Sequence, residues 1–428
     1  MTATMLASIL LFLFLVFPMV LRLLYVKAAL LGILLVWAIA RALGTGRLRV
    51  SRSVMGWTLV LAAASMTFGL LGLLRGAPGA FKQLQIYAFW PLVYALLLTG
   101  ATRPLLRKLH ATVVWSSLFL SVYGLHFTLS AAGIVPSLPY LEWLSFGETL
   151  GIGLHQGFVE VLFPGLNSLP YLLPFLIASL LVRAGEHARP GMRVHWAAFG
   201  ALVALGLVSG RRAVFVVVAI APLVALAVAG GGVPALRSTV RRRSLMVAGV
   251  GVLLLLAIEA AARTVYQFSL ARLFTDFLVG FDFETGSEAG AYFRRQQYDV
   301  LLAQWLESPW LGAGHGASAV GLVRSAEVPW SYELYYLALL FQVGLVGVAL
   351  YAAGIAWIVW EGWRMLRERP DTAALLVPAM TALLCFLIAS ATNPYLARFD
   401  AIWIVFWPLA IVNVVRTGRW DEIPPETS

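Results

Sequence analysis

Residues 331–360 read SYELYYLALLFQVGLVGVALYAAGIAWIVW. From Leu334 to Trp360 there is no Asp, Glu, Lys, Arg or His. A helix rises 1.5 Å per residue, so about 20 such residues cross a hydrocarbon core of ~30 Å. Lipid offers no partner to backbone N–H and C=O groups, so a run of this kind must satisfy them internally, as helix.

The same kind of run recurs at about 4–22, 27–43, 54–74, 83–100, 112–132, 168–182, 193–208, 213–229, 245–262, 334–359, 373–390 and 399–416. These patterns predict an all-α, polytopic helical membrane protein of about twelve spans, a single transmembrane domain over 1–428. Composition agrees: 61% of residues are hydrophobic, 12% are charged and the mean hydropathy is +0.86. Soluble proteins carry about 25% charged residues. The first span has no basic residues before it and no small-residue cleavage site after it, and is expected to be retained. The single cysteine, Cys385, excludes a disulfide framework or a thiolate metal site within one chain.

A net charge of +11 resembles a nucleic-acid binder's until the cations are placed. With the N-terminus inside, the inner loops hold 19 of the 31 Lys and Arg. The short outer connections hold 7, and 5 fall in the long segment 263–330. Cytoplasmic loops are enriched in Lys and Arg, so both termini are expected in the cytoplasm and 263–330 outside, as a periplasmic loop between spans nine and ten. The basic residues are then loop anchors for membrane lipids, and no nucleic-acid partner is expected. A second outer segment, 134–167, has no Lys or Arg but carries Glu142, Glu148 and Glu160 among apolar residues. It reads as an interfacial or re-entrant piece.

Apart from His126, the centres of the spans carry almost no ionisable side chain. Intramembrane charges mark ion and proton paths, so an ion-coupled transporter is disfavoured. Charge gathers instead at outer span ends: Arg211 and Arg212, Glu259, Arg263, Arg294 and Arg295, Glu333, Arg398 and Asp400. Arg211 and Arg212, in SGRRA, either snorkel to headgroups or grip phosphate oxygens with their forked guanidinium groups. Arg294 and Arg295 open a helix over 292–306 on which Phe293, Tyr298, Leu301, Leu302 and Trp305 recur near helical spacing, an amphipathic pattern suited to the membrane surface. Those arginines either face solvent or meet a ligand. The LGAGHG turn at 311–316 lets backbone approach a ligand closely, and His315 within it is either a base or a plain loop histidine. Glu333 either caps the following helix or serves as a general base. Asp400 either pairs with Arg398 or completes a polar pocket.

Three segments together resemble the O-antigen ligase and O-antigen polymerase superfamily of bacterial inner-membrane glycosyltransferases. VSGRRAVFVVVAIAPL resembles that family's Ser-x-Ser-Arg before an apolar span, with Arg212 at the arginine and Arg211 in place of the serine. RRQQYDVLLAQWLESPWLGAGHG places Arg294, Tyr298, Pro309, Gly312 and Gly314 on the second pattern. ELYYLALLFQVGLVG resembles the third, with Glu333 where ligases have their histidine and Gln342 where an acidic residue is frequent. The resemblance spans roughly 200–360. It implies a GT-C-like, metal-independent transferase needing no cofactor, whose donor is an undecaprenyl-diphosphate-linked oligosaccharide in the outer leaflet. Arg211, Arg212, Arg294, Arg295, Arg398 and Tyr298 would bind the diphosphate or substrate. Glu333 or His315 would deprotonate the acceptor, which is a second glycan for a polymerase or a lipid A core for a ligase. A lipid-linked glycan flippase is the alternative from a different class.

Overall fold

The computed structural model describes residues 2–18, 20–146, 151–155, 158–184, 190–209, 211–233, 238–247, 249, 252, 253, 256, 259, 260, 289–323 and 325–422. The chain runs α1 (Ala3–Val16), α2 (Leu24–Thr45), α3 (Arg52–Leu74), α4 (Ala80–Leu84), a π turn (Gln85–Phe89), α5 (Trp90–Leu97) and α6 (Arg103–Ala131). After α7 (Pro139–Ser145) and a hairpin of β1 (Gly151–His155) and β2 (Phe158–Leu162) come α8 (Leu169–Leu181), α9 (Met192–Val208) and α10 (Arg212–Gly232). The chain closes with α11 (Ala289–Glu307), α12 (Tyr335–Glu368), α13 (Ala373–Ala389) and α14 (Trp403–Arg416). Among the described residues, seven helical segments are long and apolar enough to cross a membrane, and α1, α9 and α14 are shorter apolar helices. Helices stand at the expected positions except 245–262, which lies largely outside the described residues, as does most of the expected periplasmic loop before 289.

Local sequence sets the helix ends. Ser51 caps α3 by accepting from Val54 N at 3.4 Å, and Thr102 caps α6 through Leu105 N, with Pro104 preset in the first turn. Every residue of α8 is buried, and most of α13 is too, so these two helices form the bundle's centre. Helices α2 and α3 expose Val36, Leu43, Leu59 and Leu74, the apolar perimeter that suits lipid. In 134–167, α7 is tied to α6 by His126, whose ring nitrogens meet the Tyr140 hydroxyl and, at 3.1 Å, the Pro136 carbonyl. The hairpin pairs antiparallel, with Leu154 opposite Val159.

Helix α12 is broken at Gly344, whose φ of 62° and ψ of −173° are essentially closed to residues with a Cβ. The break leaves backbone groups that a membrane interior cannot hydrate. The 309–316 turn supplies their partners. Ala313 N donates to Phe341 O at 2.9 Å and Gly314 N to Gln342 O at 2.7 Å, while Leu345 N and Val346 N donate to Pro309 O and Trp310 O at 2.9 and 3.1 Å. Gly312, Gly314 and Gly316 all have positive φ, and a Cβ on each would lie within 2.5 Å of backbone in Gln342, Gly72 or Gly79. The glycines therefore admit the chain's own backbone. The expectation of a ligand-facing glycine turn is corrected accordingly.

At the opposite end, Arg419 is buried, and its guanidinium donates to Thr99 O (2.7 Å), Arg49 O (2.9 Å) and Leu98 O (3.3 Å). The Leu98 and Thr99 carbonyls follow the last turn of α5, where a cation also meets the negative end of the helix dipole.

Candidate functional site

Two polar clusters form at the end of the bundle where α12 begins and α13 ends. The first is built by α11. Its Phe293, Gln297, Leu301 and Trp305 lie four residues apart and make one row. Leu301 is fully buried, and Phe293 and Trp305 pack with it on Ala317, Tyr332, Ala338 and Phe341. The apolar face thus packs on the chain itself, where the sequence suggested a membrane-surface helix. Gln297, fully buried, accepts from Glu333 N at 2.9 Å and Leu334 N at 3.4 Å, and so holds the entry to α12.

That anchoring sets Glu333 beside Arg294. Arg294 Nε donates to Glu333 Oε2 at 2.9 Å, with the two side chains 24% and 21% exposed. Glu333 is not the helix cap: the N-cap position is Leu334. The carboxylate is held by a guanidinium 39 positions earlier in the chain and stays open to the surface. Arg295 is exposed and lies 3.8 Å from Asp299, a spacing worth little in water. Tyr298, one turn beyond Arg294, is 49% exposed.

His315 is placed differently. It is fully buried, stacked on Tyr87 with ring centres 5.2 Å apart, and its Nε2 lies 2.8 Å from the Tyr351 hydroxyl. Burial lowers its pKa to about 4, with Gln342 opposing weakly. Among the described residues it is sealed beneath aromatic rings, a placement that suits neither the base nor the plain loop histidine that the sequence offered.

The second cluster joins α1, α2, α8, α13 and α14. Arg398 Nη2 donates to Asp400 Oδ2 at 3.0 Å. Lys27, 1% exposed, donates to the same oxygen at 3.2 Å and to Phe17 O at 2.7 Å. Arg398 and Asp400 line a half-open pocket with Asn167, Ser168, Tyr171 and Tyr395, walled by Phe14, Leu15, Phe386, Trp403 and Ile404. Arg211, at the N-cap of α10, reaches this pocket through Asn167, donating Nη1 to its Oδ1 at 2.7 Å. Arg212 opens α10, and its side chain lies outside the described residues.

Arg398 therefore lines the pocket, Arg211 bonds the Asn167 that lines it, and Arg294 meets Glu333. The clusters are neighbours: Tyr336, three residues past Glu333, bonds Leu387 O on α13, and the adjacent Phe386 lines the pocket. Lys27 escaped the sequence reading because its partner is 373 positions away; its only signal is a lysine followed by an uninterrupted apolar run. No family model matches the chain, and a search of characterised proteins finds no significant match.

Proposed function

We propose that this chain is a glycosyltransferase of surface-polysaccharide assembly. It is GT-C-like, with about twelve spans in the bacterial inner membrane and both termini in the cytoplasm. It polymerises undecaprenyl-diphosphate-linked repeat units at the periplasmic face. The observation that carries this reading is the Arg294–Glu333 contact, an accessible carboxylate and guanidinium from two remote segments, beside a pocket edged by Arg398 and served by Arg211.

The chemistry follows from these positions. An acceptor sugar hydroxyl attacks the donor's anomeric carbon as the bond to the diphosphate oxygen breaks. Glu333 takes the hydroxyl proton, a role worth about 10²–10⁴-fold in rate. The undecaprenyl diphosphate leaves with the electron pair, and fixed cations stabilise its charge. Arg211, Arg212 and Arg398 serve that anion. Arg294 is shared: engaged by phosphate, it releases the Glu333 carboxylate to act as base.

The flippase reading loses ground at Gly344. A broken membrane helix often marks a transported ligand's site, but here the freed backbone groups are bonded to the 309–316 turn. A ligase would use the same donor chemistry with lipid A core as acceptor.

Replacing Arg212, Arg294 or Glu333 by Ala abolishes the long-glycan ladder while the protein still inserts. Normal ladders in all three variants end the proposal. Loss of the gene leaves single-repeat glycans for a polymerase and accumulated long lipid-linked chains for a ligase.

A further inference from the structure

From Ser308 to Val323 the sequence SPWLGAGHGASAVGLV contains no Asp, Glu, Lys or Arg, although it belongs to the segment expected outside the membrane. A stretch meant for water ordinarily carries charge. Its backbone is also occupied in the way a hydrocarbon interior demands. Ala313 N and Gly314 N donate to α12, His315 N donates to Phe68 O on α3 at 2.9 Å, and Gly312 O accepts from Arg75 Nη1 at 2.7 Å. Non-helical backbone at membrane depth is tolerated only where such protein partners satisfy it. The depth follows from the helices that hold the strap. Helix α3 has 23 residues, a length of ~34 Å that matches a hydrocarbon core of ~30 Å. Phe68 lies six residues before its end at Leu74, ~9 Å inside that length, and Gly344 lies nine residues past the start of α12, ~14 Å inside. The strap is therefore sunk between two spanning helices, with Arg75 at the rim reaching down to it.

We propose that residues 309–311 are a re-entrant piece of the membrane wall, with Trp310 and Leu311 seated against the acyl chains of the bilayer. Both side chains point away from the protein, 67% and 50% exposed. Leu345 and Val346, whose N–H groups bond Pro309 and Trp310, are exposed apolar residues of α12, and Leu70 and Leu73 are exposed at the same level of α3. Helix, strap and helix thus present one uncharged, apolar surface. The occupant is lipid because this surface continues the apolar perimeter of helices long enough to cross the membrane. Trp310 fits the same place, since indole rings gather near the membrane–water boundary.

Spin labelling of the full-length protein tests this, in vesicles of phosphatidylethanolamine and phosphatidylglycerol that hold no polyprenyl lipid. With the buried Cys385 replaced by Ala, nitroxides are attached through Leu311→Cys, Trp310→Cys, Leu70→Cys and Glu327→Cys, all at exposed positions. Oxygen concentrates among acyl chains and a charged nickel chelate stays in water, so the ratio of their collision rates with the label reports its surroundings. The label at position 311 should give a ratio matching that at position 70 on α3 and several-fold above that at position 327, beyond the uncharged stretch. A ratio equal to that at position 327 puts the strap in water and overturns the proposal. Loss of collisions with both reagents means that protein covers the patch, from this chain or a second copy, and overturns it equally. Trp310→Cys repeats the measurement one residue away, and Leu311→Cys decides if the loss of the indole unfolds that variant. No arm of the test involves glycan transfer, so the outcome is independent of the transferase reading.

Discussion

Gly344→Ala attacks the seam between α12 and the 309–316 turn. The new methyl carbon would sit 2.3 Å from Trp310 O, far inside contact distance, and the alanine would have to hold φ 62° and ψ −173°. That conformation costs a residue with a Cβ roughly 1–3 kcal/mol. Relief of the clash separates the strands of the seam and strips Leu345 N and Val346 N of the Pro309 and Trp310 carbonyls. Each buried group left unpaired costs about 1–3 kcal/mol. The sum is a destabilisation of roughly 3–9 kcal/mol. Gly32 on α2 is the control: a Cβ there meets nothing within 4 Å, and Ala replaces a mid-helix glycine. Gly32→Ala should be neutral or gain about 0.5–1 kcal/mol. Thermal unfolding of both variants, purified in the same detergent, measures the contrast. Gly344→Ala unfolding with the wild type, or Gly32→Ala falling as far, would refute the backbone-seam account.

Three further outcomes follow. His315, lowered from 6.5 to about 4, resists a proton that the unfolded chain accepts between those values, so its contribution to stability is full above about pH 6.5 and is lost as pH falls toward 4. The loss is at most ~3 kcal/mol, and His315→Gln should flatten the acid limb of a stability–pH curve; an unchanged limb would contradict this. Arg419→Met takes a donor from Thr99 O, while Arg49 O and Leu98 O keep Asn413 Nδ2 at 3.2 Å, and should cost about 1–3 kcal/mol. Arg364→Met, which removes an exposed pair with Glu368 and a cation–π contact with Trp360, should move the same unfolding measurement by less than about 1.5 kcal/mol.

Helix positions were readable because an apolar run longer than the hydrocarbon thickness has few alternatives to helix. Partners were not. Arg294 and Glu333 sit 39 positions apart, and nothing in either segment distinguishes a cap from an ion pair; Gln297, whose Oε1 accepts from Glu333 N and Leu334 N, fixes the entry to α12 with the carboxylate on Arg294. The glycine turn was read as an approach to a ligand, and its true partner, the chain's own backbone, needed the break at Gly344. His315 looked like a loop residue because its stacking partner, Tyr87, lies in a different part of the chain. In the hairpin, strands of five residues leave too short a period for alternation to stand out from the apolar background.

The interruption of α12 has a consequence for control at a distance. The outer piece of that helix is not aimed by the axis of the inner piece, since no continuous rod connects them. Its direction is set by the strap at 309–316, which is clamped to the last turn of α3 through His315 N and Phe68 O at 2.9 Å. Glu333 therefore takes its bearing from the strap as well as from Gln297 and Arg294, which touch it. Small substitutions along the strap would swing the carboxylate off target while every charged group remained in the sequence, and inactive variants should cluster in a stretch with no chemistry of its own.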